Sequence, residues 1–244
     1  EGYDLLVCAR GAANLEAVRK EIEALGSKCR LWPGDLTGSS GRDLRFFLES
    51  SSVDVLINNA AEPPQLKPLE DLTASDYQRM FSLNLYTPYR LMQAAIPGMK
   101  RRGSGVIVNI CSFAGRRAIR NASLYCASKF ALRGMTEAVA QELERSGVRC
   151  FSVSPGGMST LTRAALFGEE DASRQMDPKT VAETIVDAIT NRWEVPNGGD
   201  LVIRSSGVRV VERGLLESML EEIAQSHVKL GPGTAAWLPI DRRE

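Results

Sequence analysis

Short apolar runs alternate with amphipathic stretches along nearly the whole 244-residue chain, and that alternation leaves few folds open. Runs rich in Val, Ile and Leu read as strands over about residues 4–8, 28–33, 53–57, 105–111, 148–153 and 200–204. Continuous apolar runs of this length suit strands buried on both faces. Helices are expected over about 13–25, 41–50, 73–100, 122–146, 178–191 and 209–228. Asn14, Thr73 and Asp177 stand at N-cap positions, Pro178 falls in a first turn, and Pro88 is expected to kink the long third helix. Such β–α alternation implies a doubly wound α/β fold, a parallel sheet between two helix layers. Ligands of such sheets bind beyond the carboxyl ends of the strands. Ala9-Arg10, Asp35, Asn58 to Ala61, Ser112 and Pro155-Gly156 all fall there.

Composition removes several function classes. Net charge is zero, so the basic surface that nucleic-acid binding needs is lacking. No run of 18 apolar residues suggests a membrane span. The five cysteines are odd in number, scattered and without a CxxC pair. They read as reduced core residues of a cytoplasmic protein. His227 is the single histidine, which argues against a histidine-based triad and against a zinc site. Arg101-Arg102 and Arg116-Arg117 read as solvated surface pairs.

The densest chemistry lies in Tyr125-Cys126-Ala127-Ser128-Lys129. Positions i and i+4 share a helix face, so the phenol and the ammonium can meet. A nearby positive charge is expected to lower the phenol's pKa and make Tyr125 a general acid/base. Ser112 ends the strand pattern Val106 to Cys111, Asn84 sits within a helical stretch, and Asn58-Asn59-Ala60-Ala61 closes another strand. Alone, Ser112 could cap a strand, Asn84 could satisfy buried backbone, and Tyr125 could be a packing aromatic.

Taken in order, Asn84, Ser112, Tyr125 and Lys129 resemble the short-chain dehydrogenase/reductase family over roughly residues 1 to 205. The resemblance implies a Rossmann-like sheet and hydride transfer between a nicotinamide and a carbonyl or secondary alcohol. It makes Ser112 a hydrogen-bond donor to the substrate oxygen and Tyr125 its proton donor. Lys129 would hold the nicotinamide ribose, and Asn84 a water in a proton relay behind Lys129. Asp35 and Leu36 correspond to the adenine contact, Asn59, Ala60 and Ala61 to a further cofactor-facing strand end. Pro155, Gly156 and Thr160 correspond to the segment that meets the nicotinamide amide or pyrophosphate. Residues 161–176 correspond to a lid over the substrate, with Leu161, Leu166 and Phe167 as apolar candidates.

The opening Glu1-Gly2-Tyr3-Asp4-Leu5 resembles the family's second strand, so the first strand, its TGxxxGIG turn and the first helix are expected to be missing from this chain. That strand lies mid-sheet in the family, and its loss would leave two strands without a neighbour. Thr37-Gly38-Ser39-Ser40-Gly41 has glycine spacing one short of a phosphate loop and reads as a loop and helix start. At the end of the second strand stands Ala9-Arg10 rather than an acidic residue. A guanidinium matches a ribose 2′-phosphate, which favours NADP(H) over NAD(H).

By the same resemblance, the helices bearing Asn84 and Tyr125 would pair between subunits of a homodimer or homotetramer. Val211, Leu215, Met219 and Ile223 recur at i+4 spacing, so residues 206–244 read as an amphipathic helix and a tail rich in Pro and Gly, distinct from the 1–205 domain. Two functions remain: an NADP(H)-dependent oxidoreductase, or a non-catalytic binding or regulatory protein that kept the fold without the phosphate loop.

Overall fold

A computed structural model describes residues 2–50 and 52–211. It begins β1 (Leu5–Ala9), α1 (Ala12–Ala24), β2 (Cys29–Pro33), α2 (Ser39–Ser50) and β3 (Val55–Asn58). It continues α3 (Ala74–Phe81), α4 (Thr87–Arg102), β4 (Gly105–Ile110), α5 (Ser123–Glu142) and β5 (Val148–Pro155). The short helices α6 (Leu161–Phe167) and α7 (Glu169–Ser173) precede α8 (Pro178–Ile189), β6 (Asp200–Arg204) and β7 (Gly207–Val211). Every expected strand forms within a residue or two of its reading.

The sheet order is β3-β4-β5-β6-β7, parallel up to β6, with β7 antiparallel at the edge. Successive strand residues feed opposite layers, as the two-residue pleat requires. Ile107 and Cys150 join Leu44, Leu91, Met99 and Leu143 from α2, α4 and the end of α5. Val108, Ile110, Phe151 and Val153 join Val181 and Ala188 from α8. The result is the three-layer Rossmann-like α/β arrangement.

β1 and β2 pair in parallel as a separate two-stranded sheet. Among the described residues no ladder joins β1 to β3, the two strands expected to lack a neighbour. The pair is held by packing instead: Leu6, Cys8 and Trp32 contact the same apolar cluster as Leu44, Leu56 and Leu91.

The long helix expected over 73–100 is three pieces. A capping box between Thr73 and Asp76 starts α3, and one π-helical turn, Ser82–Tyr86, separates α3 from α4. Pro88 lies in the first turn of α4 and has no N–H to give to the carbonyl of Asn84 four residues back. The break therefore falls just before the proline, whereas Pro97 stays inside α4. Gly41 explains the glycine pattern at 37–41: a Cβ there would lie 1.9 Å from the Leu36 carbonyl oxygen, so α2 starts pressed against its own loop.

The helix expected from residue 209 is corrected at its start. Gly207–Val211 is strand β7, joined to β6 by a two-residue turn with Arg204 opposite Gly207. Val208 and Val210 alternate with Arg209, a period of two that outweighs the i+4 pattern read from Val211 onward. The rest of that expected helix and the tail lie outside the described residues. No helix among the described residues is long and apolar enough to cross a membrane, and all five cysteines are unpaired.

Candidate active site

β4 ends at Ile110, and the chain then turns through Cys111 and Ser112 into a short 3₁₀ turn, Phe113–Gly115. The Ser112 hydroxyl accepts a hydrogen bond from the Ala114 amide, which fixes the side chain at the strand's carboxyl end. Helix α5 starts soon afterwards and carries Tyr125 in its first turn and Lys129 one turn on. Gly115 lets α5 approach: a Cβ there would come within 2.9 Å of the Lys129 carbonyl oxygen.

Lys129 is 2 % exposed, and its Nζ donates to the Ile110 carbonyl at 2.9 Å. Burial depresses its pKa to about 8, with the nearby Cys111 pulling the other way. At neutral pH the group therefore still carries its proton for the most part. Its Nζ lies 5.9 Å from the centre of the Tyr125 ring. Tyr125 packs against Ala114, Ala122 and Cys126.

The expected sign of the Tyr125 shift is corrected. Burial raises its pKa above the usual phenol value, and a hydrogen bond from Ser112 opposes this without reversing it. The ammonium that was expected to stabilise a phenolate is turned to a backbone carbonyl, while desolvation of the ring disfavours the charged form. Tyr125 therefore keeps its phenol proton at neutral pH.

Asn84 lies in the π-helical turn and is 1 % exposed. Its Oδ1 accepts from the Glu62 amide at 2.7 Å, and its Nδ2 donates to the Glu62 carbonyl at 3.2 Å and to the Ser128 hydroxyl at 3.1 Å. Ser128 in turn donates to the Tyr125 carbonyl at 2.8 Å. The amide is therefore committed to tying the 59–62 segment to α5. Ser128 was not singled out in the sequence. Its place between the tyrosine and the lysine was the available signal, but a serine facing inward from a helix is recognisable only once Asn84 faces it.

The other expected cofactor residues stand at or just after strand ends. Arg10 and Asp35 are exposed at the ends of β1 and β2, and Asn59, Ala60 and Ala61 are exposed just after β3. The Asp35 carboxylate accepts from the Thr37 amide at 2.9 Å and from the Thr37 hydroxyl at 2.8 Å. These bonds, with a contribution from the Arg10 charge, lower its pKa. The Leu36 side chain is in the apolar core, so only its backbone is left for a ligand. Pro155 closes β5, and the Gly156 amide donates to the Ile203 carbonyl at 2.8 Å. Thr160 caps α6, its hydroxyl accepting from the Arg163 amide at 3.1 Å. Residues 157–176 fold back on themselves: the Ser159 amide donates to the Met176 carbonyl, and Arg163 pairs with Asp171 at 2.5 Å. Leu161 stands 90 % exposed on this flap.

Arg116, read from the sequence as a surface residue, pairs with the buried Asp200 at 2.5 Å. Ser154 donates to the same carboxylate oxygen at 2.9 Å, so three elements converge on one charge. No sequence pattern signals a pair 84 residues apart.

A family model described as short chain dehydrogenase matches residues 1–171. The chain is 26 % identical over 207 residues to an uncharacterized oxidoreductase of Staphylococcus aureus strain MW2, covering 84 % of this chain and 87 % of that protein. A solved short chain dehydrogenase/reductase family protein superposes with a TM-score of 0.73 at 32 % identity, over 82 % of this chain and 84 % of the other. A metagenomic short-chain oxidoreductase solved in complex with NADP superposes with a TM-score of 0.66 at 29 % identity, over 78 % and 80 % of the two chains.

Proposed function

Because the chain belongs to the short-chain dehydrogenase family, we propose that it is an NADP(H)-dependent reductase of a small carbonyl compound. The observation that carries this reading is the meeting of Ser112, Tyr125 and Lys129 beyond the end of β4, with Lys129 Nζ 5.9 Å from the centre of the Tyr125 ring.

The residues fit a nicotinamide dinucleotide. Lys129 spends one of its three donor positions on Ile110, leaving others for a ribose. The exposed edge from Arg10 and Asp35 to Ala61 presents a guanidinium, a carboxylate and small side chains over which a flat ligand could lie. A bound NADPH would supply the hydride.

The chain's own groups do the rest. Ser112 and Tyr125 hold the substrate oxygen by hydrogen bonds, and both strengthen as negative charge grows on it. Tyr125 gives its proton to that oxygen. The phenolate left behind regains its proton from solvent, with Lys129 Nζ 5.9 Å from the ring centre beside it. A neutral phenol at the substrate oxygen is in the protonation state that carbonyl reduction needs.

Arg10 supports the choice of NADP(H). Arg10→Glu should lower the ratio of kcat/KM with NADPH to that with NADH by at least about tenfold, near ~1.4 kcal/mol. An unchanged ratio would remove Arg10 from cofactor selection. If neither nucleotide bound the wild-type protein, the non-catalytic alternative would replace this reading.

The assembly is proposed to be a homo-oligomer through α3, α4 and α5. Tyr77, Tyr86 and Tyr89 are 51 %, 56 % and 42 % exposed and line an apolar groove of about 500 Å³ with Phe81, Leu85 and Met135. Clustered aromatics of this kind mark protein contacts. Light scattering should give a multiple of 26.6 kDa for this chain. A single-subunit mass at micromolar concentration, unchanged in Tyr86→Arg, would rule the interface out.

A further inference from the structure

We propose that the carbonyl substrate carries an oxyanion, a carboxylate or phosphate, held by Arg204 and Arg209 in a cavity on the β6–β7 hairpin. This names the substrate class of the reductase site and rests on that reading. The cavity holds about 290 Å³ and is lined by Phe113, Arg116, Val202, Arg204, Ser206 and Arg209 among others, with no acidic side chain in its wall. That volume is near the lower end for small-molecule sites, ~300–1,000 Å³.

The register explains why the guanidiniums converge. Val202 lies opposite Arg209 and Arg204 opposite Gly207 across the hairpin. Val202, Arg204 and Arg209 therefore share one face of the two strands. Gly207 adds no side chain between the two arginines. The Arg204 guanidinium stands 4.6 Å from the centre of the Phe113 ring, which props it over the cavity. Arg116 is already committed to Asp200. Neither Arg204 nor Arg209 has a carboxylate partner among the described residues. Two uncommitted guanidiniums facing one cavity make a forked donor set matched to a carboxylate or phosphate.

Sheet order places the cavity on the substrate's side. Ser112 follows β4, in the middle of the edge. The proposed dinucleotide contacts Asn59 to Ala61 follow β3, which lies to one side of it. The cavity lies to the other side, at β6 and β7, and Phe113, the residue after Ser112, forms part of its wall. A carbonyl held at Ser112 can thus send an anionic tail away from the dinucleotide.

The test uses the full chain with NADPH present. Calorimetric titration with glutarate and, separately, inorganic phosphate should give saturable binding of at least one, and the tighter of the two names the group. Arg209→Gln and Arg204→Gln, at exposed positions, should each weaken that binding at least tenfold. In turnover, the preference for 4-oxopentanoate over pentan-2-one should fall at least tenfold in Arg209→Gln. Reduction of pentan-2-one with no saturable anion binding by the wild type would overturn this inference and leave the reductase intact. Arginine-dependent glutarate binding with no carbonyl reduced would overturn the reductase reading and leave the anion site. Anion binding that both variants retain would show that these arginines do not form the site.

Discussion

Tyr125→Phe is expected to cut carbonyl turnover by ~10²–10⁴-fold, the usual contribution of a positioned general acid, while NADPH binding persists. The reasoning starts from the apolar contacts. The ring packs against Ala114, Ala122 and Cys126, and phenylalanine keeps those contacts. What disappears is one hydroxyl, whose raised pKa keeps it protonated at neutral pH and which Ser112 hydrogen-bonds. The loss should therefore appear in kcat far more than in cofactor affinity. The wild-type reduction rate should also fall on the alkaline side near pH 8, where Lys129 loses its proton and the positive charge it brings beside the site. Steady-state rates across pH, with NADPH affinity measured by fluorescence, check both points. A Phe variant turning over near the parental rate would show that Tyr125 is not the acid.

The second large effect concerns the fold under the site. Arg116→Ala should cost ~3–5 kcal/mol of stability, because it leaves a buried carboxylate without its counter-charge. The Asp200 side chain is 3 % exposed, and its Oδ2 receives both Arg116 Nη1 and the Ser154 hydroxyl. The pair ties the turn after Ser112 to β5 and β6, so losing it should loosen the strand end that presents the serine. Adding Asp200→Asn to Arg116→Ala removes the stranded charge and should recover part of the loss. Denaturant unfolding of the single and double variants measures this. A single variant within about 1 kcal/mol of the wild type, the range of exposed pairs, would mean that the carboxylate finds water when Arg116 is gone.

Much of the site was legible because its parts are local. Tyr125 and Lys129 are one helical turn apart, so their shared face follows from helix geometry. Ser112 ends a recognisable strand, and the strand ends bearing Arg10, Asp35 and Asn59 follow from β–α alternation. The role of Asn84 was less accessible. Its amide partners, Glu62 and Ser128, lie 22 and 44 residues away, and no local pattern reports such pairings. Arg116 was misread for the same reason, since its partner is 84 residues off. β7 was missed because a stronger i+4 pattern follows directly after a short alternating stretch.

The residue pattern by itself determined the parallel α/β architecture and which residues would stand at the strand ends, because burial on two faces and helical periodicity are written in neighbouring residues. The tertiary structure alone decided the separation of β1 and β2 from the larger sheet, the π-helical turn's partners, the arginine-lined cavity and the direction of the Tyr125 shift. Each of these depends on what distant segments bring against a group. For Tyr125, desolvation by those segments outweighs the hydrogen bond from Ser112 and leaves the phenol protonated.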